Sequence, residues 1–461
     1  MAGMRRLTTL LMTLVVASLC APTMAMDLTQ AWQLALTNDP SYQAARANYR
    51  AAAQKTPQAR AALLPAIEGS LTGAYLDNRA TGTFGQVFQG SRSAWTLSLT
   101  QPLFNWSAIQ TFEQSKLVVA NAEIQLQVAY QDLMLRVSEA YFSILALQDE
   151  LEALRAEQRS IAEQLSAAKR RFELGDATVT DALEAQARFD LTAANIIGLE
   201  NELNNAEDEL ARIIGRQPMA QTLYPLPYNV PLPAPQPNKL SAWSDQAKSA
   251  NLNVVRAQIQ SRIAEYDINI AKSGHYPSVN FVASSTSNTV GNSQVRPFYD
   301  GRTIDNTVGV TLSVPIFSGG GVNADVVEKA ELQQKSVYDL EAERRRSLQL
   351  SRQFFNGVKA GLARVKGLEA AEKSSLSALK ANMTGYEIGV RINLDVLDAQ
   401  RQLFITKRDL AAARYSTLLT SLQLRANSGV LSESDLFAIN QLLKPPGSPG
   451  TGVMHDLRKT R

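Results

Sequence analysis

The side chains that make and break bonds are few in this sequence, and they stand apart. His275 and His455 are the only histidines, so neither a His-based metal site nor a Ser-His-Asp triad can be assembled. Cys20 is the only cysteine and falls in an apolar leader, which leaves no disulfide and no thiolate site. Ser318-Gly319-Gly320-Gly321 precedes a helical stretch but lacks the Lys-Ser/Thr of a phosphate loop. A strand-to-helix turn accounts for it better. The polar groups that do cluster follow two glycine turns. Thr180 and Asp181 follow Gly175, and Arg391, Asp395 and Asp398 follow Gly389, with Tyr386 just before it. Asp181 and Asp395 each begin a helix, where a carboxylate caps free amides and meets the positive end of the dipole. Arg391 by itself reads as an exposed turn residue. No cofactor is implied, and an enzyme is the least favoured class.

Long helices must carry those turns. No proline occurs between Leu103 and Gln217 or between Ile316 and Lys444, and no glycine from Trp106 to Leu174. At about 1.5 Å per residue that last run spans roughly 100 Å. Its seam reads Leu126, Tyr130, Leu133, Val137, Ala140, Ile144, Leu147, Leu151, Leu154, Gln158, Ile161, Leu165, Ala168, Phe172. The spacing alternates four and three, as in a coiled coil. After Gly175 a seam resumes from Phe189 through Ile196, Leu203 and Leu210 to Ile213. The chain does the same around Gly389, so two antiparallel helical hairpins are expected.

Ahead of each hairpin the pattern changes to period two. Ile67, Gly69, Leu71, Gly73 and Tyr75 share one face, with Glu68, Ser70 and Thr72 opposite. Trp95, Leu97 and Leu99 alternate with Thr96, Ser98 and Thr100. Val279, Phe281 and Ala283 alternate with Asn280 and Ser284, although Val282 breaks the pattern. Val308, Val310, Leu312 and Val314 alternate with Gly309, Thr311 and Ser313. Strands of about ten residues with this alternation suit an outer-membrane barrel. A soluble sandwich with one wet face is the other reading of the strands alone. Four strands cannot close a barrel, since the smallest have about eight. An open sheet in lipid would leave backbone groups unpaired. If these strands span a bilayer, several chains must pool them. Trp95, Trp106 and Tyr75 near strand ends suit an aromatic girdle.

The whole pattern occurs twice. Leu28 to Ala35 matches Leu240 to Ala247 at an offset of about 212, and Asp181 to Gln186 matches Asp395 to Gln400 at about 214. Similarities that stay in order with a small drift mark an internal duplication. The expected divisions are a signal peptide over 1–25, a first repeat over 26–217, a Pro-rich linker over 218–239, a second repeat over 240–440 and a disordered tail over 441–461. Arg5, Arg6 and the apolar run from Leu7 to Leu19 make the signal, with cleavage after Ala25. The prolines from Pro218 to Pro237 exclude helix and favour an extended path along a surface. With Lys+Arg at 46 and Asp+Glu at 43, no basic excess points to nucleic acid.

In this layout the mature chain resembles the TolC family of Gram-negative outer-membrane factors. The most specific stretch runs from Tyr386 through Gly389, Arg391 and Asp395 to Asp398, with its partner from Phe172 to Asp181. The resemblance implies an α+β membrane protein. As a homotrimer it would form one twelve-stranded outer-membrane β-barrel, four strands per chain, continued by a long periplasmic α-helical barrel. It implies an exit duct for type I secretion or multidrug efflux. The implied partners are a periplasmic adaptor (membrane fusion) protein, an inner-membrane ABC or RND-type transporter, and outer-membrane lipid. It also implies a gate at the hairpin tips. Arg391 would link to Thr180 and Asp181 of a neighbour, and Tyr386 to Asp181 of its own chain, with Asp395 and Asp398 as two acidic rings at the constriction. Carboxylates repeated around a narrow pore repel one another and attract cations. The repeats differ here, since Arg391 corresponds to Ala177 and Asp398 to Glu184. Capping and gating are compatible roles. A secreted coiled-coil adhesin or scaffold is the alternative function.

Overall fold

The computed structural model describes residues 26–79, 87–175, 178–216, 223–228, 230–291 and 301–445. The expected signal peptide, the tips of both strand-connecting loops, part of the linker and the tail from residue 446 lie outside the described residues. The first series of elements is α1 (Leu28–Asn38), α2 (Pro40–Ala53), α3 (Lys55–Ala61), β1 (Ala66–Arg79), β2 (Val87–Phe104), α4 (Trp106–Glu173) and α5 (Val179–Ile214). The second is α6 (Leu240–Ala250), α7 (Leu252–Lys272), β3 (Ser278–Gly291), β4 (Gly301–Ser313), α8 (Gly321–Glu387) and α9 (Asn393–Asn427), followed by a closing α10 (Glu433–Asn440). Prolines set the early breaks. Pro40 opens α2 and Pro57 sits in the first turn of α3, where a missing amide hydrogen leaves no helical bond unmade.

Arg46–Leu126 and Asn253–Glu343 form one compact unit. Its four strands make an antiparallel sheet in the order β1-β2-β3-β4. The strands run 14, 18, 14 and 13 residues, longer than the ten or so that alternation suggests. Ladder pairing continues beyond the apolar stretch because backbone bonds need no apolar side chain. The register decides the faces, since directly opposed residues project to the same side. Leu71 faces Trp95, which faces Ser287 and then Ile304. Ile67, Leu99, Ala283 and Val308 form a second such row. The other side carries Ser70, Thr96, Thr286 and Asp305. Val282, the exception in the alternation, stands on this polar side between Thr100 and Gly309. In a single chain the apolar side is bare, with Leu71 83% and Val308 72% exposed. Among the described residues, β1 and β4 each have one paired edge and one open edge.

The other unit comprises the chain up to Ala45, Gln127–Leu252 and everything from Arg344. The α4 seam supplies its core: Leu133, Val137 and Ile144 are fully buried with Leu210, Ile213 and Ile214 of α5 and Leu28 and Trp32 of α1. Lower down, Leu151 meets Ile196 and Leu199. The seam fades at its end, where Phe172 is exposed. Asp39 caps α2 through the Tyr42 amide (2.6 Å) and receives both Nη atoms of Arg136 at 3.0 and 3.2 Å. Burial alone would raise the Asp39 pKa, but Arg136 and the Tyr42 amide hold it below the usual carboxylate range. The two ends of the described chain meet here. Trp32 Nε1 donates to Glu433 (3.1 Å), Asn440 Oδ1 accepts from the Leu28 amide (3.0 Å), and Asn440 Nδ2 donates to Asp27 (3.1 Å). The described linker residues run without helix over this core, with Leu223 and Leu226 buried.

Candidate functional site

Both hairpins turn on glycines with left-handed backbone, Gly175 at φ 81° and Gly389 at φ 78°, where a side chain would be strained. After the first turn Thr178, not Asp181, is the N-cap of α5. Asp181 is the third helical residue and answers in a capping box. Its Oδ2 accepts from the Thr178 amide (3.1 Å) and hydroxyl (2.9 Å). Thr180 is exposed in the first turn. After the second turn the N-cap of α9 is Ile392, which has no capping side chain. Asp395 lies in that first turn and pairs with Arg391 at 3.6 Å. The stem of Arg391 crosses Gly385, where an added Cβ would come within 2.7 Å of Arg391 Cγ.

The remaining members of the site take partners of their own. Tyr386 packs beside Leu379, Val396 and Leu403, and the Arg171 guanidinium lies 4.7 Å from its ring centre. Within this chain Tyr386 therefore contacts Arg171, while Asp181 binds Thr178. Asp398 Oδ1 accepts from Arg188 Nη2 at 2.6 Å, which joins α9 to α5. The structure thus gathers Arg391 with Asp395, and Asp398 with Arg188, into two separate pairs.

Sequence reasoning missed Arg188, and it missed a second cluster under the linker. There a cavity is lined by Asp149, Tyr228, Lys407, Leu410, Arg414 and Tyr415. Arg414 Nη2 donates to the Pro227 and Val230 carbonyls, both at 2.9 Å. Lys407 lies 3.7 Å from Glu372, which also accepts from the Tyr228 hydroxyl. The Tyr415 hydroxyl donates to Asp149 at 3.1 Å. Burial pushes the Asp149 carboxyl up to about 7, with Tyr415 opposing, Glu152 adding to the rise and Arg414 opposing. The folded chain therefore holds this proton more tightly than the unfolded chain does. Stability from this group is present at low pH and falls as pH rises from the ordinary aspartate range through about 7. Between about pH 5 and about pH 8 the wild type should lose more melting temperature than Asp149→Asn. Parallel melting curves from the two proteins would contradict the assignment.

A sheet with one apolar side and two open edges, carried in one chain with two long helical hairpins, defines the class of outer-membrane channels that reach into the periplasm. The family model of outer membrane efflux proteins matches residues 31–216 and 243–430, and the chain belongs to this family. It is 32% identical to the alkaline protease secretion protein AprF of Pseudomonas aeruginosa, over 94% of this chain and 90% of that one. It is 31% identical to the outer membrane protein TolC of Vibrio cholerae, over 96% of this chain and 99% of that one. Among solved structures, VceC of Vibrio cholerae superimposes with a TM-score of 0.74 at 18% identity, covering 87% of this chain and 96% of that chain. The Campylobacter jejuni CmeC channel gives 0.75 at 18% identity, over 90% and 89%. The fold is that of these channels. The protein is an outer-membrane exit duct extending into the periplasm, not an enzyme.

Proposed function

We propose that three copies pool their sheets into one twelve-stranded barrel in the outer membrane, and that their hairpins form one periplasmic helical barrel gated at the tips. The reading rests on the sheet. Its apolar side runs through all four strands, and its two open edges can be satisfied in lipid only by another chain. β1 of one copy pairs with β4 of the next, and three such joins close the ring. Trp106, 6.4 Å from Tyr276 between ring centres at the foot of the strands, marks one interface of the bilayer, and Tyr75 and Trp95 contribute toward the other.

The duct is passive. A periplasmic adaptor docks it to an inner-membrane ABC or RND-type transporter, which supplies the energy. Arg391 reaches Thr180 and Asp181 of the neighbouring copy when closed, and Asp395 and Asp398 line the constriction. Among the described residues no helix is long and apolar enough to cross a membrane. The test is the assembly itself. Protein extracted from outer membranes should migrate as a heat-modifiable trimer and conduct ions in planar bilayers. A water-soluble monomer recovered from the medium would favour the scaffold reading.

A further inference from the structure

The acidic residues of the proposed constriction do not stand alike. Asp395 has Arg391 beside it at 3.6 Å on its own turn. Asp398 is held from another hairpin, by Arg188 of α5 at 2.6 Å. The Arg188 side chain is 25% exposed and that of Asp398 60%, so the cation is the more enclosed partner. Two residues further along α9, Gln400 is buried. Its Oε1 accepts from Gln164 at 2.9 Å and its Nε2 donates to Ser160 Oγ, both on α4. Phe404, one turn on, packs on Ala153 and Ala156 of α4. The first turns of α9 are thus tied to the first hairpin of the same chain by an ion pair, an amide bridge and an apolar contact in sequence.

The duplication restricts the ion pair to one side. At the repeat offset of about 214, Gln402 stands where Arg188 stands, and Glu184 where Asp398 stands. The equivalent step from the second hairpin to a neighbour's first hairpin meets Gln402 and Glu184, with no cation. A charged clasp is therefore available within a chain and not at the corresponding site between chains.

We propose that Arg188 is a gate-positioning residue, which clasps Asp398 across the two hairpins of one chain and offsets the charge which that carboxylate presents to cations at the ring. This rests on the channel reading above. It assigns the own-chain tether of the second hairpin to Arg188–Asp398, next to Gln400, and leaves the neighbour-directed links to Arg391. Opening the gate breaks the clasp and frees the Asp398 charge, so the acidic ring strengthens as the passage widens.

The test uses purified full-length trimers in planar bilayers, with hexaamminecobalt(III) as the cation probe. Arg188→Gln should raise resting conductance about three- to tenfold, because three weak pairs are lost together. It should also lower the half-blocking probe concentration. Asp398→Asn should raise conductance likewise but raise the half-blocking concentration. The swap Arg188→Asp with Asp398→Arg should restore wild-type resting conductance, which a merely structural arginine would not permit. Wild-type conductance and block in Arg188→Gln, or a swap no better than Arg188→Asp alone, overturns the proposal. A second arm does not depend on conduction. Arg188→Cys with Asp398→Cys, in a chain that also carries Cys20→Ser, is treated with a short bis-maleimide. Both thiols should be consumed with the polypeptide still of single-chain size. Cross-linked dimers, or two free thiols, overturn the clasp. Wild-type trimers that pass no current count against the channel reading alone, and the thiol result still decides the clasp.

Discussion

Val308→Arg should abolish assembly in the outer membrane. Val308 lies in the middle of β4, 72% exposed, in a row with Ile67, Leu99 and Ala283. An arginine at mid-bilayer on a barrel costs about 2–4 kcal/mol. Three copies in one ring multiply that to about 6–12 kcal/mol, comparable with the whole stability of an ordinary domain. Thr307→Arg, one residue earlier, points to the side lined by Ser284 and Thr286 and should assemble normally. The measurement is trimer yield in outer-membrane fractions by unheated gel. Equal yields from the two variants would contradict the assignment of faces, because a one-residue step reverses the side of a strand.

Changing Arg391 to Ser together with Tyr386 to Phe should raise the resting single-channel conductance by about tenfold. Arg391 is more than half exposed, so each link it makes is worth only about 0.2–1 kcal/mol. Three copies break together, and about 1.4 kcal/mol in total shifts the closed-to-open ratio tenfold. Tyr386→Phe removes the hydroxyl and keeps the ring against Leu379, Val396 and Leu403. A change in conductance then reports a lost bond and not a collapsed tip. A double variant with wild-type conductance and an unaltered melting curve would remove both residues from the gate. Arg391→Ser alone, measured beside Arg188→Gln, separates links between chains from the tether inside one.

Local and periodic features of this molecule were legible in the sequence, and long-range polar pairs were not. The seam from Leu133 to Ile161 predicts burial well because a four-three spacing keeps its members on one face of the helix, and that face meets the core. The alternation in β1 to β4 predicts which side is apolar, while strand length depends on backbone pairing that polar residues sustain equally. Thr178, three positions before Asp181, carries a readable capping-box signal, and attention to the carboxylate alone obscured it. Arg188 gives no such signal. Its partner lies 210 positions away, and only the register between α5 and α9 brings the two together. The same holds for Asp149, Arg414 and Tyr415, whose cavity exists because the linker is laid across α9. Long-range ion pairs add no periodicity to a sequence, so pattern reading has nothing to detect.

The meeting of α1 with α10 has a consequence for biogenesis. Leu28, Trp32 and Asp27 gain these hydrogen-bond partners only when Glu433 and Asn440 arrive, and these are among the final described residues. A polypeptide delivered amino end first cannot close these bonds until α10 has followed. Locking of α1 therefore waits for α10, and the amino-terminal helix is held in place from the other end of the described chain.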